Sequence, residues 1–432
     1  MPDQMPDPFT ASFSRRKMLK ASATMSAAAI MAALGSNFAH AAESDKIKIG
    51  LVGCGGRGRG AAADAVSNDN VQLIALGDLF PDQLDAAKKT FDERPKDKYN
   101  IKDDHTFHGW DAYQKVLQTD IDYVILATPP GFRPMMIKAA IEAGKHVFAE
   151  KPVAVDPAGV RTVIAAAEMA QKKNLGIVAG TQRRHQPSYI ETIKRIKDGA
   201  IGDIVSGSGW WMQGGLWSKP RQPGWSDMEW QIRNWLYFVW LSGDHIVEQH
   251  LHQIDVMNWV MGGPPRLALG MGGRMVRTDP TFGHIYDFFS IQYEYPGGIK
   301  AQCMCRQIDG TYSRIGEEIV GTKGKAIPEK GITEGPNKWR YEPPEKGINP
   351  YEQEHKDLVE SIRAGKPLNE GKQTAESALT AIMGRMSAYT GKVITFKAAL
   401  ESPLDLFPKK LDFGPMPVPP VALPGKEEAP PA

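Results

Sequence analysis

One stretch constrains the fold more than any other: KIKIGLVGCGGRGRGAAADAVSNDNVQLIALGDLF, residues 46–80. Ile47, Ile49, Leu51 and Val52 make a short buried-strand pattern. Gly53, Gly55 and Gly58 then fit G-x-G-x-x-G, and a helix-like run follows from Gly60 to about Ser67. A second strand, Val71 to Leu76, ends at Asp78, twenty residues after Gly58. The three glycines play different parts. Gly53 permits a tight strand-to-helix turn, Gly55 lets backbone approach a pyrophosphate, and Gly58 lets helix pack on strand. Gly56 and Arg57 complete the loop, and the helix N-terminus offers N–H groups to phosphates. The Asp78 carboxylate suits both ribose hydroxyls and repels a 2′-phosphate, which favours NAD. Arg57 and Arg59 keep NADP open, because an arginine near the ribose can hold that phosphate.

The parallel-sheet pattern continues. Asp122 to Pro130 reads as a buried strand and Arg133 to Ala143 as a helix. KHVFAEKPVAVDPAGV then gives a strand ending in Glu150-Lys151-Pro152. A helix over Ala158 to Lys173 and the strand GIVAGTQ close the unit. Open parallel sheets bind ligands at the carboxyl ends of their strands. Thr128, Pro129, Glu150 and Lys151 occupy such ends and join the expected cofactor-binding set. The fold class is α/β, with a Rossmann domain over 46–182 and a second domain over 183–412.

Before that domain comes SRRKMLKASATMSAAAIMAALGSNFAHAAESDK. Arg15-Arg16, a weakly apolar Ala-rich run and the small residues Ala39 and Ala41 resemble a twin-arginine signal over 1–41. The expectation is an exported, periplasmic protein with no stable membrane insertion once the signal is removed. No soluble nicotinamide pool exists there, so such an enzyme needs a tightly held cofactor. Basic and acidic residues nearly balance, 52 against 50 in 432 residues, so no long-range field favours nucleic acid. Cys54 lies in the glycine loop, and Cys303 and Cys305 alternate on one strand, an arrangement of buried thiols rather than disulfides.

The second domain carries two unusual stretches. GDHIVEQHLHQIDVMNW, Gly243 to Trp259, reads as one helix with His245, Glu248, His252 and Asp255 broadly on one side and His250 opposite. The H-E-x-x-H zinc spacing is absent, and no metal is assigned. The region Trp210 to Trp240 holds seven of the ten tryptophans. Aromatic faces stack on sugars, so Trp217, with Arg233 and Asn234 as polar partners, reads as a carbohydrate-facing group; an aromatic core or oligomer interface is the alternative. LALGMGGRM is a strand, and DFFSIQYEY-PGG-IKAQCMCRQ a hairpin. Helices follow near Tyr351 to Ala364 and Thr374 to Thr390, with Glu354, His355 and Asp357 read as a solvated face. Residues 413–432 are Pro-rich, an extended or disordered tail.

From Lys46 to Leu400 the chain resembles the Gfo/Idh/MocA oxidoreductases. The resemblance rests on the glycine loop, the Thr-Pro-Pro turn at 128–130, Glu-Lys-Pro at 150–152 and His252-x-x-Asp255. It implies a C-terminal domain with an open, mostly antiparallel sheet that covers the nicotinamide and often mediates homo-oligomer formation. It implies Lys151 beside the reacting carbinol, His252 as proton acceptor, Glu248 in the acid position, and Arg184 and Asp255 facing the substrate. Glu248 stands where the family usually has Asp, and His250 where it has a small residue, so substrate identity does not transfer. The expected activity is NAD-dependent oxidation of a secondary alcohol on a sugar, sugar derivative or polyol. The alternatives are a redox-neutral glycoside-cleaving or epimerising enzyme on the same fold and a non-catalytic binding protein.

Overall fold

The computed structural model describes residues 46–426. The twin-arginine stretch and the last part of the Pro-rich tail lie outside them. The first sheet contains β1 (Ile47–Val52), β2 (Val71–Asp78), β3 (Thr106–His108), β4 (Tyr123–Leu126), β5 (His146–Ala149) and β6 (Ile177–Ala179). Their order is β3-β2-β1-β4-β5-β6, the doubly wound order of dinucleotide-binding domains. The strand order reverses between β1 and β4, which opens a crevice at their carboxyl ends. β1, β2, β4, β5 and β6 are nearly continuous apolar runs because helices cover both faces.

The first helix begins earlier than the residue pattern suggests, at Gly56, and runs to Val66. Glycine is a poor helix former, but here close packing decides. A Cβ on Gly58 would sit 1.8 Å from the Gly53 carbonyl oxygen, and one on Gly53 would meet Ala127 backbone at 2.6 Å. Gly53 also has a φ of +95°, which favours glycine.

The second sheet has nine strands among the described residues: β7 (Ile204–Gln213), β8 (Leu267–Gly273), β9 (Phe288–Glu294), β10 (Lys300–Gln307), β11 (Arg314–Gly321), β12 (Gly324–Ile327), β13 (Ile332–Glu334), β14 (Trp339–Arg340) and β15 (Ile394–Thr395). The order is β14-β13-β12-β11-β7-β10-β9-β8-β15. β7 and β10 pair parallel; the other pairings are antiparallel. Phe289, Ile291 and Tyr293 on β9 face Cys305, Cys303 and Ala301 on β10 across the buried side. The three cysteines are free and buried. Helices Leu251–Met261 and Gly371–Thr390 cover that side, pinned by Tyr295 Oη donating to Asn258 (2.8 Å) and Gly270 N donating to Ser387 (2.8 Å). Helix Gly371–Thr390 also packs on Pro157–Lys172 of the first unit, and buried Arg385 donates to the Val155 and Gly243 carbonyls, both at 2.9 Å.

One expectation needs correction. Glu354 and His355 are not a solvated face: both are fully buried, because helix Pro350–Arg363 turns them inward and His355 stacks on Phe148 of β5 at 3.9 Å. Burial lifts the Glu354 carboxyl well above its ordinary value and holds the His355 imidazole well below its own. The described part of the tail is extended yet anchored. Met416 bonds to Asp227 and Gln231, Ala422 O accepts from Tyr286, and Gly425 N donates to Thr390 O.

His185, just past β6, binds the same late helix through Asp357 at 2.6 Å, with Glu370 at 3.4 Å. Burial opposes the imidazolium, but these carboxylates outweigh it and raise the pKa to about 9. Their stabilisation is complete below the unfolded value near 6.5 and is lost as pH rises towards 9. His185→Gln should therefore cost about 2 kcal/mol near pH 6, allowing for the partly exposed Asp357. That deficit should shrink near pH 9; a deficit that does not change with pH in denaturant unfolding would contradict the pairing.

Candidate active site

A cavity of about 410 Å³ opens at the β1–β4 crevice. Gly53, Gly55, Gly56, Arg57, Gly58, Asp78, Thr128 and Pro129, eight of the expected cofactor residues, line it. A Cβ on Gly56 would meet nothing within 4 Å, and one on Gly55 only Gln83 at 4.0 Å, so open space lies beside this backbone. Helix Gly56–Val66 has no side-chain cap and no acidic residue in its first turn. Its free N–H groups and partial positive charge fit a pyrophosphate. Asp78 accepts from Cys54 N (2.6 Å) and Phe80 N (2.9 Å), which fixes the carboxylate and leaves acceptor capacity for ribose hydroxyls. Arg59 donates to Cys54 O (2.9 Å) and Arg57 to Glu150 (2.6 Å), so both guanidinium groups are held by the protein. These residues fit NAD.

Glu150 does not line the cavity; it lies behind Arg57, which also reaches buried Glu354 at 3.6 Å. Lys151 turns to the second domain. Its Nζ donates to the Glu248 carbonyl (2.6 Å) and to Glu248 Oε1 (2.8 Å). The register Leu126↔Ala149 places Thr128 and Lys151 at neighbouring strand ends.

The histidine stretch is not one helix. It splits into His245–Glu248 and Leu251–Met261 around Gln249 and His250. Gln249 is drawn aside by Gln213 (3.0 Å) and Gln307 (2.6 Å). His252 N bonds to Gln249 O, which leaves the Glu248 carbonyl for the Lys151 ammonium. His245 and His250 are buried, and His245 meets the Phe289 ring edge-on with 5.1 Å between ring centres. His252 lies flat against Trp211, 5.5 Å between ring centres. Burial holds its pKa well below the ordinary value, and the charges of Lys151, Arg183 and Arg57 push the same way. Among the described residues no three His, Cys, Asp or Glu side chains are arranged to hold a metal ion.

Three expected substrate residues have other partners. Arg184 and Asp255 bind each other through two 2.8 Å bonds, and Asp255 takes a third from Ser377. They form a buried ion pair, and neither lines the cavity, nor do Lys151, Glu248 and His252. Asn234 is fully buried, accepting from Lys219 N and donating to Thr281 O, so its amide braces a loop. Arg233 lines the cavity but grips Asp82, and Trp217 stands at the mouth, 46% exposed. The residue pattern did not single out Trp211 or Arg133. Arg133 is buried beside the Glu-Lys-Pro turn, donates to Pro152 O at 2.7 Å, and is lowered by that burial to about 10. Only its place after the Thr-Pro-Pro turn could have pointed to it.

Residues 47–177 match the oxidoreductase family with an NAD-binding Rossmann fold, and residues 189–327 match the GFO/IDH/MocA C-terminal domain. The chain belongs to the Gfo/Idh/MocA family. It is 27% identical to an inositol 2-dehydrogenase from Rhizobium meliloti over 66% of this chain and 76% of that protein. It is 28% identical to a glycosyl hydrolase family 109 protein from Shewanella sp. over 45% of each. The chain thus spans about half the length of several curated relatives, 44 to 59%. An aldose-aldose oxidoreductase structure from Caulobacter crescentus shares the fold, with TM-score 0.64 and 22% identity over 81% of this chain and 99% of that one.

Gly55 has extended backbone (φ −64°, ψ −178°) and open space at its Cβ, so a side chain there enters the cleft rather than the core. Gly55→Leu should keep stability within about 1 kcal/mol of the parent and abolish NAD binding. A Gly55→Leu protein that binds NAD normally by calorimetry would contradict this placement.

Proposed function

We propose that the chain oxidises or reduces a secondary alcohol of a sugar, sugar derivative or polyol with a tightly held NAD. The observation that carries this reading is the contact of Lys151 with Glu248, which ties the Glu-Lys-Pro turn to the short helix that precedes the one bearing His252. When bound, NAD supplies the hydride acceptor for the carbinol carbon. The protein does the rest. A lysine ammonium has three donors; Glu248 takes two, and the third can hold the substrate oxygen. His252 is neutral at working pH and accepts the hydroxyl proton, and Trp211 fixes its ring plane. Glu248 keeps Lys151 aimed.

A redox-neutral variant of this chemistry is the second reading, supported by the relative named as a glycosyl hydrolase. There the hydride returns after a leaving group has been expelled. Release of aglycone without build-up of reduced nicotinamide would select it; stoichiometric reduced nicotinamide would select net oxidation. A homo-oligomer fits the exposed Leu269 and Met271 on β8.

The export reading rests on Arg15-Arg16 and the Ala39–Ala41 site, and it accounts for a cofactor that must stay bound. Replacing Arg15 and Arg16 by Lys should leave the protein in the cytoplasm on fractionation; unchanged export would refute the twin-arginine route.

Lys151→Ala and His252→Asn should each lower kcat/KM by about 10²- to 10⁴-fold. The acid limb of the wild-type profile should fall well below pH 6.5, because His252 is held neutral there. Either variant retaining full activity on a turned-over polyol would remove that residue from the chemistry.

A further inference from the structure

Trp217 and Trp235 of the tryptophan-rich stretch line the dinucleotide cleft. We propose that residues 217–235 and 411–416 form a roof that retains the dinucleotide, latched at its adenosine end by Arg233, Asp82 and Phe80. This rests on the NAD reading above.

The cavity has two walls of different origin. Gly53, Asp78 and Thr128 come from the first sheet, while Trp217, Ile232, Trp235 and Leu411 come from the second half of the chain. Asp78 marks the ribose position, and Phe80, Gln83 and Trp110 extend the lining beside β2 and β3. In this strand order that is the adenosine side, with Thr128 and the neighbouring Lys151 towards the reacting end. The latch lies on the adenosine side. Arg233 Nη1 and Nη2 donate to the two Asp82 oxygens at 3.1 and 2.9 Å, and Nε donates to Glu229 at 2.9 Å. The guanidinium also lies 3.7 Å over the Phe80 ring. A two-toothed carboxylate grip on a stacked arginine fixes geometry better than a single surface ion pair.

The two roof segments are one body. Met228 N donates to Gly414 O at 3.2 Å, Met416 N to Asp227 at 3.0 Å, and Gln231 Nε2 to Met416 O at 2.6 Å. Between these ties, Phe413 packs 6.0 Å from Phe80 and 5.0 Å from Trp110. The start of the Pro-rich tail therefore backs the lining residues Phe80 and Trp110. A roof latched at the adenosine end, away from Lys151 and His252, lets substrate exchange at the reacting end while the dinucleotide stays.

The test is the rate at which NAD-loaded protein releases NAD into an excess of competing labelled NAD. Asp82→Asn removes the charge from a half-exposed carboxylate, Arg233→Gln removes the cation, and Phe413→Ala removes the ring that bridges Phe80 and Trp110. Thermal melting confirms that each variant is folded. Each should release NAD about tenfold faster than the wild type or more. Folded variants that release NAD within about twofold of the wild-type rate would overturn the roof and leave the NAD reading standing. A wild-type protein that never binds NAD would overturn the reading beneath it.

Discussion

Everything at the candidate site depends on one hydrogen-bonded ion pair, Lys151 with Glu248. It joins a strand end of the parallel sheet to a short helix of the second domain. Its geometry depends on a broken helix. Were residues 245–261 continuous, the Glu248 carbonyl would accept from His252 N and be closed to a side chain. The break at Gln249 and His250 releases it, and the lysine is held by carbonyl and carboxylate of the same residue. Ending the first helix is thus what lets Lys151 bridge the two domains.

The electrostatics follow from burial. Lys151, Arg183 and Arg57 surround His252 with positive charge, and burial removes the water that would support a further cation. The imidazole pKa is therefore held well below its ordinary value. Acids are placed where they steady the cations: Glu150 on Arg57, Glu248 on Lys151, Glu317 on Arg183 and Asp255 on Arg184. The pairs of Lys151, Arg183 and Arg184 are buried; such pairs do little for net stability but are costly to break, since each loss leaves an unpaired buried charge.

The first domain was legible because its signals are local. Strand periodicity, three glycines at fixed spacing and an acid at the end of the next strand all lie within residues 46–80. The β9–β10 hairpin was equally readable, from alternation and the Pro-Gly-Gly turn. What stayed hidden was information carried by distant partners. The residue pattern marks Arg184, Asp255 and Asn234 as polar candidates but does not show that the chain brings Arg184 to Asp255 and Asn234 to Thr281. Glu354 and His355 look solvated because sequence shows a polar helix face and not the Phe148 ring awaiting it. The break within the histidine stretch depends on Gln213 and Gln307 reaching Gln249 from two strands, a tertiary cause with no local mark.

The central claim is that this chain holds NAD in the crevice between β1 and β4. The most direct measurement is to purify the protein without added cofactor, denature it, and identify the released nucleotide by mass. NAD or NADH should be released at about one per chain, as one fingerprint loop and one Asp78 imply. Finding NADP(H) instead would contradict the role of Asp78. Finding no nucleotide, with no binding when NAD is added back, would contradict the site itself.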